Sequence, residues 1–198
     1  MEHPSIQHFK PYEVLSMTVK KWNARLSLLT LLLLLIHEGY HLYAYMTMYY
    51  NPVLSKVTGY ALAASLALHA ILSIVIVFVM HDSKKITYKK RNLRTVLQRI
   101  SGAMIIVLLP IHIFSFGLLQ SSVGGVGFVL TELAQILFYG ALFCHFSTSF
   151  SNALVTLGWL SDRKKKRVID IIVTTVSVLL FLAASVIITM THTMIFNG

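Results

Sequence analysis

Residues 100–119 read ISGAMIIVLLPIHIFSFGLL, twenty positions without an Asp, Glu, Lys or Arg, whose only ionisable side chain is His112. About 20 largely apolar residues cross a hydrocarbon core of roughly 30 Å as a helix, so this stretch predicts a transmembrane helix. Four further stretches have the same character: Leu26 to Met46, Val57 to Met80, Val126 to Ser149 and Val168 to Ile195. The expected fold is therefore an all-α integral membrane protein of five transmembrane helices, at about 26–46, 57–80, 100–119, 126–149 and 168–195. Residues 1–198 are expected to form a single membrane domain. Composition agrees: 56% of the 198 residues are hydrophobic and 12% charged, with a mean hydropathy of +0.73, outside the range of soluble globular domains. The first apolar stretch follows about 25 mixed residues, lacks a small-residue cleavage site and is too long for a signal-peptide core, so it is expected to remain a helix.

A formal charge of +10 would suit a nucleic-acid binder, but its distribution excludes that class. Lys10, Lys20, Lys21 and Arg25 precede the first apolar stretch, seven cations run from Lys84 to Arg99, and five from Arg163 to Arg167. Only Lys56 falls in the opposite loops, so sixteen of the seventeen Lys and Arg share one side. The positive-inside rule then places the N-terminus in the cytoplasm and the C-terminus outside. Trp22 and Trp159 flank the cytoplasmic ends, and Tyr43, Tyr45, Tyr49 and Tyr50 crowd the outer end of the first helix, as interfacial aromatics do. The basic loops serve topology and anionic lipid, or the docking of a soluble partner. Cys144 is the only cysteine, so no disulfide framework or thiolate cluster arises within the chain.

Histidine is the informative residue type. His3, His8, His81 and His192 lie in the tail or near helix ends, where interfacial or solvated roles suffice. His37, His41, His69, His112 and His145 lie within apolar spans, where an ionisable group is costly and marks function. One imidazole on each of four helices suits bis-histidine haem ligation, because a haem between helices takes an axial nitrogen from each side. At about 1.5 Å of rise per residue, His41 and His112 lie on the order of 12 to 15 Å from the outer ends, and His69 and His145 roughly 27 to 30 Å. Depth therefore pairs His41 with His112 and His69 with His145. Counting from the cytoplasmic ends discriminates less, giving about 20 to 25 Å for all four. With both axial positions filled no site is left for oxygen, which points to electron transfer. The alternative for each histidine is a hydrogen bond to a neighbouring helix.

The segments Gln98-Arg99-Ile100-Ser101-Gly102 and Leu108-Leu109-Pro110-Ile111-His112 resemble the five-helix, two-haem cytochrome b subunits of succinate:quinone oxidoreductases, the membrane anchors of succinate dehydrogenase and fumarate reductase. The resemblance extends to His41-Leu42, His69-Ala70 and His145-Phe146 through Gly158, and covers most of Leu26 to Ile188. Its most specific part is the His69 to His112 interval with Tyr88, Arg91 and Asn92. It implies two haems b, the outer held by His41 and His112 and the inner by His69 and His145. It also implies a membrane quinone, menaquinone, with flavoprotein and iron-sulfur subunits as partners beside membrane lipid, in a prokaryotic cytoplasmic membrane. This chain then supplies the haem wire and the quinone site, and no succinate chemistry of its own. The family often carries Asn-Gly three residues after its fourth ligand, where this chain has Thr148-Ser149. One relative has a proton-carrying Glu where Phe143 stands, and both outer connections here are short.

His37 and Glu38 are left over from ligation. On a helix they lie about 40° and 60° from the direction of His41. A carboxyl and an imidazole there would accept protons from a quinol; structural hydrogen bonding is the alternative. Glu132 is a weaker candidate that marks the outer start of the fourth helix. Rival functions are another two-haem quinone-reactive cytochrome b subunit, such as that of a nitrate reductase or hydrogenase, a haem-free proton-coupled transporter or channel, and a haem-free anchor.

Overall fold

The computed structural model describes residues 11–79 and 89–197. Five helices follow one another: α1 (Pro11–Thr47), α2 (Pro52–Phe78), α3 (Lys89–Ser121), α4 (Val126–Thr156) and α5 (Arg163–Asn197). Each is long and apolar enough to cross a membrane, in agreement with the five stretches read from hydropathy. His3, His8, Lys10, Met80, His81, Lys84, Lys85 and Tyr88 fall outside the described residues.

Every helix but α2 outruns its apolar stretch at the basic end. α1 begins fifteen residues before Leu26, α3 eleven before Ile100 and α5 five before Val168. Hydropathy finds where a helix enters hydrocarbon; where it ends depends on caps and breakers, and the intervening Lys, Arg, Leu and Met are good helix formers. At the other end the turns are short. Asn51 caps α2 by accepting from the backbone N–H groups of Val53 and Leu54 at 3.0 and 3.2 Å, with Pro52 behind it at the position where a missing N–H costs least. Gly158 closes α4 at φ 80°, a left-handed conformation open to glycine.

Large side chains such as Leu32, Leu35, Val107, Phe114, Ile171 and Leu179 lie exposed on the helix flanks, an arrangement suited to hydrocarbon and unsuited to water. The buried core is narrow: Ile105, Phe138, Tyr139, Ala141 and Ile188, flanked by Tyr45, Leu108, Leu109 and Phe181. α4 is the central helix, packing on α3, α5 and α1.

The packing is also uneven in a way that positions the histidines. Among the described residues α2 approaches the backbone of α1 alone, and α1 does not closely approach α3. The bundle is thus split into an α1–α2 half and an α3–α4–α5 half, joined where α1 meets α4 and α5. His37, His41 and His69 stand on one half, His112 and His145 on the other.

At the basic end Arg94 ties the larger half together. Its guanidinium donates to the Thr148 and Ser147 carbonyls at 2.9 and 3.2 Å, to Ser151 Oγ at 3.0 Å, and to Asp170 Oδ1 at 2.7 Å. Lys166 reaches Asp170 Oδ2 and Ser151 Oγ at 2.9 Å, and Ser151 bonds Asp170.

Candidate functional site

His69 of α2 and His145 of α4 face each other across the split, ring centroids 6.4 Å apart and rings nearly perpendicular. Their helices make no close backbone contact, so the imidazoles themselves span the gap. Segment 98–102 of α3 builds a seat for His145. Its Nδ1–H donates to the Gln98 carbonyl at 2.9 Å. Ser101 Oγ, 3.4 Å from the same nitrogen, gives its own proton to the Leu97 carbonyl. A carbonyl only accepts, so Nδ1 carries the ring proton and Nε2 keeps its lone pair. Gly102 supplies the room: a Cβ there would stand 3.2 Å from His145 Cε1 and Nδ1. His69 lies against the Asn23 backbone, yet its Nδ1 is buried without a hydrogen-bond partner by distance and angle among the described residues.

These features fit a metal-bound group between the two rings. An imidazole nitrogen sits about 2 Å from a bound metal ion, and its ring centre about 1 Å behind it, so two rings on opposite sides of one iron stand roughly 6 Å apart. A ligating histidine ordinarily donates its other N–H to a carbonyl or carboxylate, which fixes tautomer and orientation; His145 has that arrangement. A cleft of about 190 Å³, mostly apolar in its lining, adjoins His69, with Lys20, Asn23, Gln98, Ser149 and Asn152 among the residues around it.

The outer candidates gather into a larger group. His112 of α3 donates Nδ1–H to Gln135 Oε1 at 2.9 Å, and Gln135 in turn directs its Nε2 toward the Ile111 carbonyl. The His112 ring stacks on Phe138, centroids 4.4 Å apart and 14° from parallel. Its Nε2 thus has the lone pair of a prospective ligand. His41 differs: its Nε2 shares a hydrogen bond with Ser55 Oγ at 3.1 Å, and its ring lies 4.5 Å from that of His37. His37 bonds Thr58 Oγ1 at 3.1 Å beside Gly59, where a Cβ would stand 3.3 Å from the ring. Glu38 accepts from the Tyr139 hydroxyl at 3.0 Å. Donor atoms of His37, Glu38 and His112 lie within 4.8 Å of one another. The structure therefore brings His69 to His145 as a pair and assembles His37, Glu38, His41 and His112 as a cluster.

Several participants were not singled out by the sequence. Gln135 and Tyr139 orient His112 and Glu38; with Glu132 they occupy positions i, i+3 and i+7, one face of α4, and a polar stripe on an apolar helix is the signal that would have found them. His192 and Glu132, read as lying near helix ends, are buried and bond each other. Against this geometry, the chain matches no family model, no curated protein and no solved structure.

Proposed function

We propose that this chain is the two-haem cytochrome b membrane anchor of a succinate dehydrogenase or fumarate reductase complex. It would carry electrons between an iron-sulfur subunit and a membrane quinone, menaquinone by resemblance. The observation that carries the reading is the placement of candidate ligands on both sides of the split, with His69 and His145 facing at 6.4 Å and His145 Nδ1–H fixed on a backbone carbonyl.

Haem b would supply one-electron transfer. His69 and His145 would hold the inner haem, and His41 and His112 the outer. The chain's other residues orient and protect. The Gln98 carbonyl and the Gln135 amide hold the proton on Nδ1 of His145 and His112, which strengthens each Nε2 as a donor. Lys20, Asn23 and Asn152 at the inner cleft would offer one cation and two amides to ring carboxylates. Glu38, with Tyr139 and His37, is the proton acceptor for quinol chemistry beside the outer ligands. The N-terminus faces the cytoplasm by the positive-inside rule, which turns the basic end toward the flavoprotein and iron-sulfur subunits. Succinate chemistry belongs to the flavoprotein.

A second reading has its own observation. His37, Glu38 and His112 form a two-histidine, one-carboxylate donor set, the type that holds non-haem iron. A pyridine haemochrome assay on the purified chain separates the two. Two haems b per polypeptide are expected. One or none would overturn the proposal, and a stoichiometric non-haem metal in their place would establish the second reading.

A further inference from the structure

Farther from the basic end than the histidine cluster lies a second group of ionisable side chains. Glu132 stands six residues after Val126 on α4 and His192 five before Asn197 on α5, so both are roughly 8 to 9 Å inside their helix ends. They meet there, His192 Nδ1 against Glu132 Oε1, and are 3% and 8% exposed. On the far side of the imidazole, Tyr45 of α1 places its hydroxyl 3.5 Å from Nε2. Tyr45 also packs against the buried core that contains Tyr139 of α4, and Tyr139 bonds Glu38. Among the described residues no lysine or arginine forms an ion pair with Glu132 or His192.

Two features separate this pair from a structural hydrogen bond. First, Glu132 Oε2 is buried without a partner among the described residues, whereas buried polar atoms that only hold a fold together are normally satisfied. Second, a carboxyl and an imidazole with no other countercharge share one proton at zero net charge. Glu132 is protonated beside neutral His192, or ionised beside protonated His192, and either form is less costly to bury than a single charge. Exchange of that proton is thus a small rearrangement at a site where ionisable groups mark proton paths.

We propose that Glu132 and His192 form a proton-transfer station that links the Glu38–Tyr139 pair, through Tyr45, to the bundle end opposite the basic residues. In the outward direction the pair starts with neutral His192 protonated on Nδ1 and Glu132 protonated on Oε2, the oxygen without a partner. The carboxyl releases the Oε2 proton toward the helix ends, Nδ1 passes its proton to Oε1, and Tyr45 gives its hydroxyl proton to the vacant Nε2 and takes one from the side of Glu38; reorientation of the carboxyl and imidazole restores the starting form. One proton enters, one leaves, and no electron moves. The link to Glu38 rests on the quinone reading above; the exchange of the Glu132–His192 proton does not.

The test is infrared difference spectroscopy of the full chain in lipid nanodiscs between about pH 5 and pH 8, which needs neither haem turnover nor quinone. Carboxyl and imidazole bands are expected to change together with a single midpoint. Glu132→Gln should abolish the coupled change, Glu132→Asp should retain it with the carboxyl band displaced, and His192→Asn should move the midpoint of the carboxyl band. The proposal is overturned if the coupled bands persist in Glu132→Gln, or if the carboxyl midpoint is the same in His192→Asn as in the unaltered chain. Should Glu132→Gln not fold, the Asp and Asn variants decide by the same criteria. A separate measurement of quinone-linked turnover, expected to fall about tenfold in Glu132→Gln, tests the link to Glu38. Normal turnover with lost bands would overturn that link alone.

Discussion

A Cβ at position 102 would stand 3.2 Å from two atoms of the His145 ring, closer than ordinary van der Waals contact, so Gly102→Ala displaces the ring on its Gln98 seat by a few tenths of an ångström. Alanine stabilises a helix interior by roughly 0.5–1 kcal/mol relative to glycine, so the substitution acts on the ligand seat and not on helix propensity. Redox titration should show the midpoint of the proposed inner haem displaced and that of the proposed outer haem unchanged. Glu38→Gln keeps shape and removes the titratable carboxyl. Quinone-linked turnover should fall while both haems, and activity with an artificial soluble acceptor, persist; unchanged quinone turnover would return Glu38 to a structural role. The sequence exposed both residues and gave Glu38 a role as a proton acceptor, but gave Gly102 none. Gln98 to Gly102 stood out only as a resemblance, because the ring it seats lies 43 residues further along the chain. Gln135 and His112, 23 residues apart, meet only through the packing of α3 on α4.

At the level of helices, hydropathy located all five but began α1, α3 and α5 too late and ended α4 too early at the basic end, since a charged or polar segment leaves hydrocarbon without leaving the helix. The cations there divide by environment, a distinction that counting cannot make. Arg94 and Lys166 are committed to Asp170, whereas Arg163, Lys164, Lys165 and Arg167 are exposed. On the proposed function, Lys164→Glu with Lys165→Glu should therefore weaken assembly with the proposed soluble subunits. Exposed charges are screened over roughly 8 Å at physiological ionic strength, so wild-type assembly should weaken as salt is added. Asp170→Asn should instead destabilise the chain itself by about 2 kcal/mol, the scale of hydrogen bonds to charged groups, read as a lower unfolding midpoint. Assembly that is indifferent to the lysine reversals at every ionic strength would leave those charges a purely topogenic role.

Across the whole molecule the decisive feature is the split, and it was only half legible. The sequence placed one candidate ligand on each of four helices and matched them by depth. It could not show that α2 stands apart from α3 and α4, because the gap depends on which faces pack and not on periodicity. It assigned His41 to the outer haem and left His37 over, whereas the structure gathers these neighbours on one helix face into the same cluster. Selective haem loss in single variants resolves this. Redox titration of His41→Ala, His69→Ala, His112→Ala, His145→Ala and His37→Ala is the most direct measurement of the account. It predicts that the His41 and His112 variants perturb one redox centre, that the His69 and His145 variants perturb the other, and that His37→Ala preserves both. Loss of different centres by His41→Ala and His112→Ala, or a haem signal indifferent to all five, would contradict it.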